Sequence, residues 1–181
     1  RLELHEMVGA AAEAMRQAGV VEGDRVVGYL PNIPETIVAM VAASTLGAIW
    51  SSCSPDFGVR GVLDRFERLE PKLLVCCDGY AYGGKRIDCR PRTAEILEAL
   101  AKTAASAPQV VMVPFLDPDA TTEVLRDAVR WDDFLQQGEG VPPDLTPAPF
   151  GRPHYIMFSS GTTGLPKCIV QSAGGLSLIH I

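Results

Sequence analysis

Four short apolar runs, residues 25–30 (RVVGYL), 48–52 (AIWSS), 73–77 (LLVCC) and 109–113 (QVVMV), alternate with stretches whose apolar residues recur every three or four positions. Runs of that length, rich in β-branched residues and bounded by Gly or Pro, read as buried strands, and the intervening stretches read as amphipathic helices. Strands alternating with helices of ten or more residues predict an α/β fold over residues 1–113, a mainly parallel sheet flanked by helices. Leu4, Met7, Val8, Ala11, Met15 and Ala18 form the apolar stripe of the first helix, with Gly19 where a left-handed cap is wanted. Asn32 and Pro34 start a second helix, which Ile37, Val38, Met40, Val41, Ala42 and Leu46 mark as buried all round. Ser54 and Pro55 read as the start of a third helix carrying Val59, Val62, Leu63, Phe66 and Leu69, with Asp64 and Arg68 one turn apart as an ion pair. A fourth helix is expected from Thr93 to Ala104 and a turn at Asp117 to Asp119. Residues 124–135 carry no clear period, and 138–153, dense in Pro and Gly, read as an irregular crossing segment.

That segment leads into a strand at 154–158 and then the string FSSGTTGLPK, residues 158–167, with a further strand at 167–170. Gly161 and Gly164 tolerate positive φ, which turns successive backbone N–H groups toward one point and makes an anion-binding nest. Ser159, Ser160, Thr162 and Thr163 add uncharged donors, and Lys167 adds a mobile ammonium able to reach polyphosphate oxygens. The common P-loop is excluded, because Lys167 follows Gly164 by three positions and Cys168 comes next, not Ser or Thr. The bland alternative is a glycine-rich hairpin that binds nothing. A second glycine-rich turn, GYAYGGKR at 79–86, ends in two adjacent bases that are expected to point to solvent.

Sixteen basic against twenty-two acidic residues, a net charge of −6, disfavour a broad nucleic-acid surface. The GVRG stretch at 58–61 is no KH loop, since Val59 and Val62 lie on a helical stripe. The longest apolar run, at 37–50, is interrupted by Ser44, Thr45 and Gly47 and is too short for a membrane span. Cys53, Cys76, Cys77, Cys89 and Cys168 include no CxxC pair and no histidine at ligand spacing, so they read as reduced thiols of a cytoplasmic protein, with Cys76 and Cys77 on opposite faces of a strand. His5, His154 and His180 are isolated and no G-x-S-x-G occurs, which leaves no Ser-His-Asp constellation. Trp50 and Trp131 read as core or pocket-wall residues. No metal ligand is assigned.

The exact string SSGTTGLPK after its apolar run resembles the phosphate-binding signature of the acyl-adenylate-forming (AMP-binding) enzymes. Residues 51–72 (SSCSPDFGVRGVLDRFERLEPK), 82–86 (YGGKR) and 165–170 (LPKCIV) extend the resemblance to the acetoacetate–CoA ligase branch, over nearly all of the chain up to Gly175. The resemblance implies the N-terminal domain of an enzyme that joins a carboxylic acid to coenzyme A: ATP and acid give an acyl-adenylate and pyrophosphate, then the CoA thiol displaces AMP. It implies that Ser159, Ser160, Gly161, Thr162, Thr163, Gly164 and Lys167 hold the ATP phosphates, that Gly83, Gly84 and Lys85 contact the CoA nucleotide, and that Mg²⁺ lies between phosphates. Acetoacetate, ATP and CoA are the implied small-molecule partners, with no nucleic acid or membrane. Tyr82 stands where acetyl-CoA synthetases commonly have Arg, and Cys168 and Gln171 where Gly and His are frequent. Another short-chain acyl-CoA synthetase and a non-catalytic nucleotide-binding module are the alternatives. Residues 176–181 (LSLIHI) match what a sequencing adapter encodes, so 1–175 are expected to be an incomplete AMP-binding domain without its C-terminal, lysine-bearing domain.

Overall fold

A computed structural model of the chain describes residues 2–103, 107–160, 164 and 166–178. Helix α1 (Leu2–Gln17) buries Val8, Ala11 and Met15 at the expected spacing, and Gly19 follows it at φ +81°. Strand β1 (Arg25–Tyr29), helix α2 (Pro34–Thr45), strand β2 (Ile49–Cys53), helix α3 (Val59–Phe66) and strand β3 (Leu73–Cys77) continue the alternation. The turn at Gly83–Gly84 joins β4 (Gly79–Tyr82) to β5 (Lys85–Asp88), and α4 (Arg90–Thr103), β6 (Gln109–Val113), β7 (Val129–Arg130) and α5 (Trp131–Gln136) follow. The chain then reaches β8 (Pro153–Ser159), β9 (Lys167–Ser172) and α6 (Ala173–Ser177).

Among the described residues seven strands form one sheet in the order β7-β6-β3-β1-β2-β8-β9, and β4 pairs with β5 apart from it. Every pairing in the large sheet is parallel except β8 with β9, and β1 and β3 run side by side with Val26 opposite Leu73. The period of two along each strand sends alternate residues to two cores. Val26, Leu73, Val75, Cys77, Val111 and Val113 meet α1, α2 and α5 on one face, while Val27, Leu74, Cys76, Val110 and Met112 meet α3 and α4 on the other. Cys76 and Cys77 are thus split between the faces as their adjacency requires. Each such side chain, fully buried, contributes roughly 1.5–3 kcal/mol of transfer free energy. Gly28 is needed for this packing, because a Cβ there would lie 2.7 Å from the Trp50 ring.

Several local expectations are corrected. Helix α3 does not start at Ser54: the Ser54 carbonyl accepts the Phe57 N–H in a turn, and Gly58 caps a helix beginning at Val59. The helix ends at Phe66, so Arg68 is off the helical spacing, and Asp64 pairs instead with Arg60 one turn earlier, at 2.9 Å. Helix α2 is capped at Ile33 with Pro34 in its first turn and buries only Val38, Ala39, Ala42 and Ala43; Ile37 is 41% exposed. Leu4 likewise stays 45% exposed in the first turn of α1. Helix α4 starts three residues early, at Arg90, whose N–H is taken by the Asp88 carboxylate at 2.9 Å; Ala104, its expected end, lies outside the described residues.

Candidate functional site

Because β1, β2, β3, β6 and β8 are parallel, the segments that follow them emerge at one edge of the sheet, where ligands of open α/β folds bind. The serine- and threonine-rich loop leaves β8 at that edge. Strand β8 is held beside β2 by the Trp50–Tyr155 pairing, by the Ser51 hydroxyl donating to the Ile156 carbonyl at 2.8 Å, and by Ser52 and Tyr155 hydroxyls 3.1 Å apart. Strand β9 returns antiparallel, so Ser159 and Lys167 stand directly opposite each other at the mouth of the loop. Ser160 and Lys167 are exposed, Gly164 takes the positive φ its sequence position called for (+88°), and Pro166 is buried. Gly161, Thr162 and Thr163 lie outside the described residues.

The second glycine-rich turn projects from the end of β3, at the same edge. Gly83 and Gly84 have φ +56° and +75°, the pair of positive values a two-residue hairpin turn requires, and Tyr82 faces Lys85 across it. Lys85 is exposed as expected. Arg86 is exposed too, but its guanidinium donates to the Leu116 carbonyl at 2.7 Å, which makes it a strut for the hairpin as well as a surface charge. Three strand spacings, from β3 through β1 and β2 to β8, put the roots of the two glycine-rich elements roughly 14 Å apart.

Sequence reasoning missed the residues that fix these elements. Asp78, 3% exposed at the end of β3, accepts backbone N–H groups from Phe115, Leu116 and Asp117, each at 2.8 Å, and its own carbonyl accepts from Cys89 N–H. It thereby ties the segment after β6 to the root of the hairpin. Gly79 beside it admits no side chain, since a Cβ would meet the Ile87 carbonyl oxygen at 2.3 Å. Tyr29, fully buried, shares its hydroxyl proton between the carbonyls of Phe57 (2.7 Å) and Pro55 (3.0 Å), and Arg92 donates to Pro55 at 2.9 Å. Burial pushes the Tyr29 hydroxyl up to about 12, against the pull of Arg92. A carboxylate just after an apolar strand was the only readable signal for Asp78; Tyr29 and Arg92 had none.

Among the described residues neither thiols nor histidine assemble a further centre. Cys53, Cys76, Cys77 and Cys89 are buried and unbridged, with burial raising Cys53 to about 11; Cys168 is exposed. His154 stands 3.3 Å from Ser44 Oγ, and burial followed by the Arg152 charge lowers its basicity. Among the described residues no group of three metal-ligating side chains occurs, and no helix is long and apolar enough to cross a membrane. Trp50 and Trp131 are core residues, 1% and 3% exposed. A cavity of about 970 Å³ between α1, α5 and residues 139–142 contains none of the loop or hairpin residues.

Comparison with known proteins agrees with this geometry. A family model described as AMP-binding enzyme matches residues 2–178. Acetoacetyl-coenzyme A synthetase of Rhizobium meliloti (strain 1021) is 46% identical over 179 residues, covering 99% of this chain and 27% of that protein. The Mus musculus acetoacetyl-CoA synthetase is 45% identical over 184 residues, with the same coverage. Among solved structures, acetoacetyl-CoA synthetase from Streptomyces lividans matches with a TM-score of 0.85 and 42% identity, over 99% of this chain and 26% of that one. The chain therefore spans about a quarter of the length of these relatives.

Proposed function

The chain belongs to the AMP-binding enzyme family, and on that premise we propose that it forms part of the AMP-binding domain of a longer, cytoplasmic acid–CoA ligase. The reaction is acetoacetate activation: a carboxylate oxygen attacks the α-phosphorus of ATP, the bond to pyrophosphate breaks, and the CoA thiol then displaces AMP from the acyl-adenylate. Acetoacetate is the acid favoured by the names of the relatives. ATP enters as its magnesium complex, the metal carried on the phosphates. Charge builds on the leaving pyrophosphate, so donors aimed there act more strongly in the transition state than on bound ATP.

The observation that carries this reading is the position of Ser159 opposite Lys167 across the mouth of a hydroxyl- and glycine-rich loop, at the carboxyl edge of a parallel sheet. Ser159, Ser160, Gly161, Thr162, Thr163 and Gly164 are assigned to the ATP phosphates, with Lys167 contacting the β- or γ-phosphate. Gly83, Gly84 and Lys85 are assigned to the CoA nucleotide; their exposed hairpin on the same edge supports this, since the extended arm of CoA bridges a separation of roughly 14 Å with ease.

The test uses a full-length enzyme that carries this chain. Acetoacetate-dependent exchange of labelled pyrophosphate into ATP isolates adenylation. Lys167→Ala is expected to lower its kcat about 10²–10³-fold, more than it raises KM for ATP; exchange at the wild-type rate removes Lys167 from the phosphate site. Lys85→Ala should leave exchange intact and raise KM for CoA. Acetate or propionate outcompeting acetoacetate would reassign the acid.

A further inference from the structure

Phe158 is the last apolar residue of β8 before the phosphate loop, and its ring is half-buried on the side of the sheet covered by α3 and α4. Arg65, on α3, lies against it. The guanidinium carbon is 5.7 Å from the centroid of the Phe158 ring and 4.6 Å from that of Phe57. One Nη donates to the Gly61 carbonyl, one helical turn back, at 2.6 Å. Among the described residues that is the only hydrogen bond the guanidinium makes, so its position is set by the helix on one side and two aromatic faces on the other. Phe57 is itself fixed, since its carbonyl accepts from the Tyr29 hydroxyl at 2.7 Å. The Arg65 charge also reaches Cys53 at the end of β2, where it opposes the upward push of burial on that thiol.

Two segments thus converge on one cation: the turn at 54–57 and the exit of β8. Arginine suits this junction, because its flat, delocalised cation stacks on aromatic faces while its fork still donates a hydrogen bond; an ammonium does one or the other less well. From this convergence we infer that Arg65 is a positioning residue for adenylation, holding the Phe158 ring and hence the direction in which the chain leaves β8 into the phosphate loop. It does not touch the phosphates. The inference rests on the phosphate-loop reading above and adds to it the group that aims the loop.

A loop displaced by about 1 Å from its productive position loses on the order of 10²-fold in rate. In the full-length enzyme, Arg65→Met should therefore lower kcat for pyrophosphate exchange about ten- to a hundredfold, leave KM for CoA unchanged, and be partly rescued by Arg65→Lys, which keeps a cation over the rings. Phe158→Leu, which removes the ring and leaves Arg65 in place, should give a comparable loss, and the double variant should be no slower than the worse single, as expected of residues acting through one contact. Exchange at the wild-type rate in Arg65→Met overturns the inference. So do additive losses in the double variant, or a fall in melting temperature with kcat untouched. Should Arg65→Met fail to fold, Arg65→Lys and Phe158→Leu carry the same comparison. Lys167→Ala measured beside them separates the two readings: loss there without loss in Arg65→Met removes the positioning role and keeps the loop, and no loss in any variant removes both.

Discussion

Asp78 is a carboxylate 3% exposed that makes no ion pair among the described residues. Its charge is carried by oriented backbone dipoles: one oxygen accepts from Phe115 and Leu116, the other from Asp117. Asparagine keeps the shape but turns an NH₂ toward one of those N–H groups, leaving a buried donor unpaired. Asp78→Asn should lower unfolding free energy by about 1–3 kcal/mol in urea titrations, with faster amide exchange at residues 115–117; an unchanged midpoint would show that the three hydrogen bonds are not what holds that segment. Tyr29 makes a complementary prediction about pH. An unfolded tyrosine ionises near 10, while burial holds the folded one near 12, so over that interval the unfolded chain releases a proton that the folded chain keeps. The contribution is complete below about pH 10 and is lost as pH rises toward the folded value, the slope favouring unfolding by about 3 kcal/mol in all. Cys53, raised by burial to about 11, pulls the same way from lower pH. Tyr29→Phe should be less stable at pH 8, having lost its hydrogen bonds, yet lose less between pH 9 and 12; parallel curves for the two proteins would contradict the assignment.

Among the elements, β3 and β6 lie at the expected residues at both ends, because a five-residue apolar run between breakers leaves little room for another solution. Helix α3 was misplaced for a reason that lies outside its own sequence: Tyr29 and Arg92 hold the carbonyls of Pro55 and Phe57, so the turn is fixed from other elements and the helix begins only after Gly58. Strand β7 and helix α5 were illegible because two residues of parallel pairing with β6 and a six-residue helix carry no period of their own. The same contrast divides the site. The glycines at 83, 84 and 164 were readable, since turn chemistry between apolar strands is local, whereas Ser159, expected in the loop, is the last residue of β8 and pairs with Lys167. Asp78 binds donors 37 to 39 residues downstream, and Arg65 reaches Phe158 from another element, so neither role has a spacing to be read.

For the molecule as a whole, the distribution of exposed apolar surface is uneven. The inner strands β1 and β3 are sealed on both faces, whereas among the described residues β9 forms the open edge of the sheet, with residues 167–170 exposed on both of its faces. Met157 and Ile169, paired across the two strands, are 42% and 39% exposed on one face, and Val170 is 57% exposed on the other, with the Cys168 thiol beside it. An apolar edge strand with unpaired backbone groups is a template for pairing with another strand, and none of the usual deterrents, an inward charge, a proline or a bulge, interrupts residues 168–170. The 181-residue chain on its own should therefore self-associate through β9. A net charge of −6 at pH 7 opposes this at long range, so association should strengthen as pH falls toward the isoelectric point near 5.0 and weaken at low salt. Sedimentation velocity over a concentration series provides the measurement. Val170→Lys puts a charge on the open edge without touching either sealed core, and should restore a monomer at concentrations where the parent chain is larger. A parent chain that stays monomeric at high concentration, or a Val170→Lys variant that associates as strongly, would show that β9 is not the surface through which copies meet.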